Sequence, residues 1–106
     1  MSVAWHSPLS FSPPLYGVLV SPKRFTYELL VKAKDFSVNF VDFENVKIYS
    51  IMGRISGKSR DKIKGFNIEL EESSKISSPF LKKAYASYEC VKTRQVITGD
   101  HILFIG

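Results

Sequence analysis

The sequence closes on an apolar run, Ile102-Leu103-Phe104-Ile105, set behind a Gly99-Asp100 turn signal. Such a run is a strand, and a strand leaves a row of unmet backbone groups unless another pairs with it. The remaining residues must therefore supply a sheet. The run that follows Pro14, "LYGVLV", is nearly continuous in apolar residues and predicts a buried strand. "DFSVNFV" alternates apolar and polar residues, as a half-buried strand does. "LKKAYASYECVKTRQVI" predicts one long strand, with Ala84, Ala86, Tyr88 and Cys90 on one face and a bulge near Val91.

Two helices fall between these strands. In "SPKRFTYELLVKAK", Ser21 is a good N-cap and Pro22 suits the first helical position. Phe25, Leu29 and Ala33 share one face with Leu30 beside them, and Glu28 can pair with Lys32. "DFENVKIYSIMG" starts at a possible Asp42 cap, carries Val46 and Tyr49 at helical spacing and stops at Gly53. "RISGKSRDKIKGFN" predicts a loop with one helical turn around Arg60 to Lys64, and "IELEESSKISSPF" an irregular connection. The fold class is mainly β with inserted helices, a small barrel held in a single domain over residues 1–106, because the second half lacks the strand–helix alternation of a parallel α/β sheet.

No apolar run approaches the roughly 20 residues that cross a bilayer as a helix. "MSVAWHSPLS" has no basic start followed by an apolar stretch, so no signal peptide is expected. Cys90 is the single cysteine, which removes an internal disulfide and a four-cysteine zinc site; it is expected to pack as a small apolar residue, and a cytoplasmic location fits. The net charge of +5 favours anionic partners.

Lys23 and Arg24 fall in the expected first turn of the first helix, where the dipole would favour anions instead. A bound phosphate would resolve that conflict, with the Thr26 hydroxyl as a further donor. Gly57-Lys58-Ser59 suggests a P-loop, but the glycine required five residues earlier is Met52, and the segment follows a helix. His6 and His101 are too few for a zinc site without cysteines. Trp5, outside any periodic element, either caps the core or lines a pocket for a flat ligand. A base-stacking platform for nucleic acid would need exposed aromatics alternating with basic residues on one strand, and no strand carries that pattern.

Taken in order, "SVAWHSPLSFSPPLYGV", "SPKRFTYELL", "DFSVNF", "SGKSRDK", "YECV" and "GDHILFIG" resemble the flavin reductase-like, FMN-binding split-barrel family over nearly the whole chain. The resemblance implies a split β-barrel, a homodimer with FMN near the subunit interface, and electrons passing from NAD(P)H to a flavin or another acceptor. It implies flavin contacts from Ser2, Val3, Ala4 and Trp5, with Trp5 beside the ring system. Thr26 matches the threonine of an Arg-aromatic-Thr helix start that includes Arg24. Ser56, Gly57 and Lys62 match a Ser-Gly…Asp-Lys motif, and His101 the histidine of a Gly-Asp-His strand entrance. No catalytic residue and no metal site are implied. Family members carry one or two strands and an asparagine ahead of the segment that begins here at Met1, and further sequence after the strand that ends here at Gly106. The expectation is a core or shortened version of the fold, with "HILFIG" as an interior strand.

Overall fold

The computed structural model describes residues 1–106. Its frame is antiparallel. Strands β1 (His6–Phe11), β2 (Pro14–Val20), β7 (Arg94–Ile97) and β8 (Ile102–Ile105) form a four-stranded sheet in the order β1-β2-β8-β7. Strands β3 (Asp35–Phe40) and β6 (Ala86–Val91) form a second sheet. The terminal apolar run is thus an interior strand, with Leu19 opposite Leu103 and Val96 opposite the same residue from the other side.

The two sheets share one core. Val18, Val20, Ile102 and Phe104 from the first meet Phe36, Val38 and Cys90 from the second. Phe104 is 0% exposed, and every apolar position in this cluster belongs to a strand whose pattern carried the expectation. Cys90 packs there as a small apolar residue, and burial pushes its thiol pKa up. No helix is long and apolar enough to cross a membrane.

Five expectations need correction. The first helix, α1, spans Phe25–Lys32, not the residues from Ser21 onward. The Arg24 N–H bonds the Ser21 carbonyl at 3.0 Å, which closes a turn with Pro22 at its second position, a site proline favours. Arg24 is then extended, and the helical ladder starts one residue later. The later start also moves the buried face. Tyr27 and Leu30 pack on the core, while Leu29 is 52% exposed. Glu28 pairs with Lys58 across the structure and not with Lys32.

The long strand expected at residues 81–97 is two strands in two sheets. The Lys92 N–H bonds the Lys34 carbonyl at 2.9 Å and ends the β3–β6 ladder; the Thr93 N–H bonds the Ile105 carbonyl at 2.8 Å and joins β8. A change of sheet, not a bulge, breaks the alternation near Val91. The connection at residues 68–80 contains a small ribbon, β4 (Leu70–Glu71) against β5 (Phe80–Leu81). Its serine-rich loop is pinned by two carboxylates. Asp35 accepts bonds from the N–H and hydroxyl groups of Ser77 and Ser78, and Glu89 from those of Ser74 and the Lys75 N–H.

Strand β1 carries no periodic signal, because all six of its residues are exposed. Its register with β2 shifts between Pro8 and Ser10, as an edge strand containing proline tolerates. The second helix comes as expected: a 3-10 turn at Phe43–Asn45, capped by the Asp42 side chain, leads into α2 (Val46–Arg54). A last short helix, α3 (Lys62–Gly65), is the helical turn expected near Arg60 to Lys64, capped by Asp61.

Candidate functional site

One cleft of about 340 Å³ opens where five separate segments converge. The Met1–Trp5 segment forms one wall, and the β2–α1 turn with the start of α1 forms another. The end of α2 and the loop to Gly57 close the third side. Lys62 of α3 and His101 at the entrance of β8 complete it. Ser2, Val3, Ala4, Trp5, Arg24, Thr26, Ser56, Gly57, Lys62 and His101, the ten residues singled out in the sequence, all line this cleft.

Local structure explains most of these placements. The Leu19 N–H bonds the Trp5 carbonyl at 2.9 Å, so Trp5 extends the edge of the four-stranded sheet. Its ring lies 4.3 Å from the His101 ring, tilted by 33°. Gly99 has φ of +82°, which folds the β7–β8 turn back tightly enough for the His101 carbonyl to accept from the Thr98 N–H and hydroxyl. His101 Nδ1 bonds Asp100 at 2.8 Å, and that bond first, then the His101 charge, holds the Asp100 carboxyl below its ordinary range.

The start of α1 faces the cleft with open donors. Arg24 is the N-cap but makes no side-chain cap bond, and the N–H groups of Phe25 and Thr26 have no acceptor in the protein. An open helix start concentrates partial positive charge. Lys23 and Arg24 stand just ahead of it, so the cations flank the helix end and do not occupy its first turn.

Lys62 is a fixed charge. Its ammonium donates to the Met52 and Ile55 carbonyls, each at 3.0 Å, and so caps the end of α2 with two of its three N–H bonds. The Met1 amino group lies nearby, its pKa pushed down by burial and then by Lys62. Two glycines let the walls close. A Cβ at Gly57 would stand 3.1 Å from the Phe25 ring, and one at Gly53 would stand 3.1 Å from Ser2.

Sequence reasoning missed several contributors, Arg54, Leu19 and Phe25 among them. Arg54 lines the cleft, yet only Gly53 beside it stood out, as a helix stop. Leu19 lines it where its N–H bonds the Trp5 carbonyl, and Phe25 where its ring meets Gly57. With Lys23, Arg24, Arg54 and Lys62 in its walls and no carboxylate, the cleft is built for an anionic ligand that also offers a flat face to Trp5.

Comparison with known proteins agrees with this geometry. A computed description of the flavin reductase like domain matches residues 1–106. An uncharacterized protein of Archaeoglobus fulgidus is 37% identical over 106 residues, all of this chain and 60% of that protein. An FMN-binding protein from Thermus thermophilus, solved with bound 1-cyclohex-2-enone, superposes with a TM-score of 0.89 at 38% identity, over 98% of this chain and 56% of that one. Flavoredoxin from Methanosarcina acetivorans gives a TM-score of 0.89 at 26% identity, over 100% of this chain and 56% of that one. The chain thus spans somewhat more than half the length of the relatives it matches. The two sheets correspond to the split barrel of these structures. With the match running over every residue, the chain belongs to the flavin reductase like domain family.

Proposed function

We propose that the cleft holds FMN and that the protein moves electrons from NAD(P)H through it to a flavin or another acceptor. One observation carries this reading: the open start of α1, the Trp5 indole and the Lys62 ammonium line one cleft. The residues present fit the group. The unpaired N–H groups of Phe25 and Thr26, the Thr26 hydroxyl and the Arg24 guanidinium would hold the dianionic phosphate. Trp5, steadied by His101, would flank the ring system.

Bound FMN supplies the redox chemistry, accepting a hydride and passing electrons on. The chain's own residues supply position and charge. Ser2, whose hydroxyl donates to the Tyr49 carbonyl, fixes the Met1–Trp5 wall against α2. Ser56 and Gly57 set the opposite wall against Phe25. Lys62 keeps a positive charge in the cleft through its two carbonyl anchors.

Purified protein loaded with FMN tests the reading. The expected result is a yellow sample that consumes NADH or NADPH in air. The alternative outcome is a flavin-binding protein without turnover. A yellow but inert sample would select it. A colourless sample after loading would refute both.

A further inference from the structure

A second cleft, of about 510 Å³, lies against the first and shares Met1, Gly57 and Lys62 with it. Its walls bring Lys58 and Arg60 together with Lys62. The one carboxylate there, Asp61, is already engaged by the Lys64 N–H as the cap of α3. Nothing in the reading above uses Lys58 or Arg60.

Arg60 is the most telling residue. Its guanidinium lies 5.1 Å from the centre of the Phe66 ring. A Cβ on Gly65 would stand 2.9 Å from its Nε, so the absence of a side chain there admits the flat group. The guanidinium makes no hydrogen bond or ion pair to the protein. A stacked guanidinium with all its N–H donors free is suited to bind a phosphate in two-pronged fashion. Lys58 lines the same cleft, with its ammonium paired to Glu28 and 5.6 Å from the centre of the Phe25 ring.

Building on the proposed function, we infer that the second cleft takes the pyrophosphate arm of the dinucleotide hydride donor, with Arg60 as the principal contact and Lys58 as the second. A dinucleotide joins a flat redox ring to a pyrophosphate, and the two clefts join a ring site to a cationic site across Gly57 and Lys62. The donor's pyrophosphate would then dock next to the α1 start that is proposed to hold the flavin phosphate, since Gly57 lies against the Phe25 ring at the head of α1.

The test uses FMN-loaded protein and ADP, the phosphate-bearing half of such a donor, titrated by calorimetry. FMN affinity is measured first. ADP is expected to bind with FMN retained, and Arg60→Gln to weaken ADP about tenfold or more with FMN affinity unchanged. Arg60→Lys should recover only part of the loss. ADP affinity equal in the wild type and Arg60→Gln would overturn the inference, as would absence of ADP binding. Release of FMN by ADP would also overturn it, since the basic loop would then be holding the flavin's own phosphate. Failure of FMN to bind the wild type would instead remove the underlying reading.

Discussion

The rings of Trp5 and His101, from opposite ends of the sequence, lie 4.3 Å apart at an angle of 33°. This contact ties the wall that precedes β1 to the turn that precedes β8. Aromatic pairs of this kind contribute about 0.5–1.5 kcal/mol. His101→Ala should therefore weaken FMN binding about two- to tenfold, read by titration. Unchanged FMN affinity in the folded variant would show that His101 does not steady the indole.

Lys62 gives a second prediction, on potential instead of affinity. Its ammonium is fixed by the Met52 and Ile55 carbonyls, and a fixed positive charge favours added electrons on a neighbouring flavin. Lys62→Ala should lower the midpoint potential of bound FMN by about 30 mV or more, a tenfold change for a two-electron couple. An unchanged potential in a folded, flavin-loaded variant would count against this role.

Phe104 tests the shared core. It is 0% exposed and touches elements of both sheets through the cluster that includes Phe36 and Val38. Phe104→Ala should cost about 3–5 kcal/mol of stability, read from chemical denaturation. A loss below about 1 kcal/mol would mean that the two sheets do not depend on one core.

Acid should loosen the serine-rich loop. Hydrogen bonds from the Ser78 and then the Ser77 side chain hold the Asp35 carboxyl well below the usual carboxylate range, and the Ser74 and Lys75 N–H groups lower Glu89. A carboxyl depressed in the folded state stabilises the fold above its unfolded pKa, and that contribution fades as pH falls toward the folded value. The pinning is thus complete above about pH 5 and declines below about pH 4. Asp35→Asn should lower the melting temperature at neutral pH and flatten its fall between about pH 4 and pH 2. Identical profiles for variant and wild type would exclude the pinning role.

The frame was legible where burial writes a pattern. Val18, Val20, Phe36, Val38, Ile102 and Phe104 all lie in runs whose apolar content or alternation marked them as strands. β1 was not, because an edge strand with six exposed residues has no face for the sequence to encode. The division of residues 86–97 between two sheets was hidden for a related reason: the partners of Lys92 and Thr93 lie at Lys34 and Ile105, far along the chain. The start of α1 misled because Ser21-Pro22 serves a turn as well as a helix. Trp5, Thr26, Lys62 and His101 were named through their family motifs; their meeting in one cleft depends on long-range packing that no local spacing displays.

Trp5 is the single tryptophan, so indole fluorescence reports on the cleft alone. Titration of the protein with FMN, followed by that emission, is the most direct measurement. The account predicts saturable quenching at one FMN per chain, weakened by Arg24→Gln through the loss of a phosphate contact. Emission that falls only by unsaturable collisional quenching, or that is equally quenched when Arg24 is replaced, would contradict it.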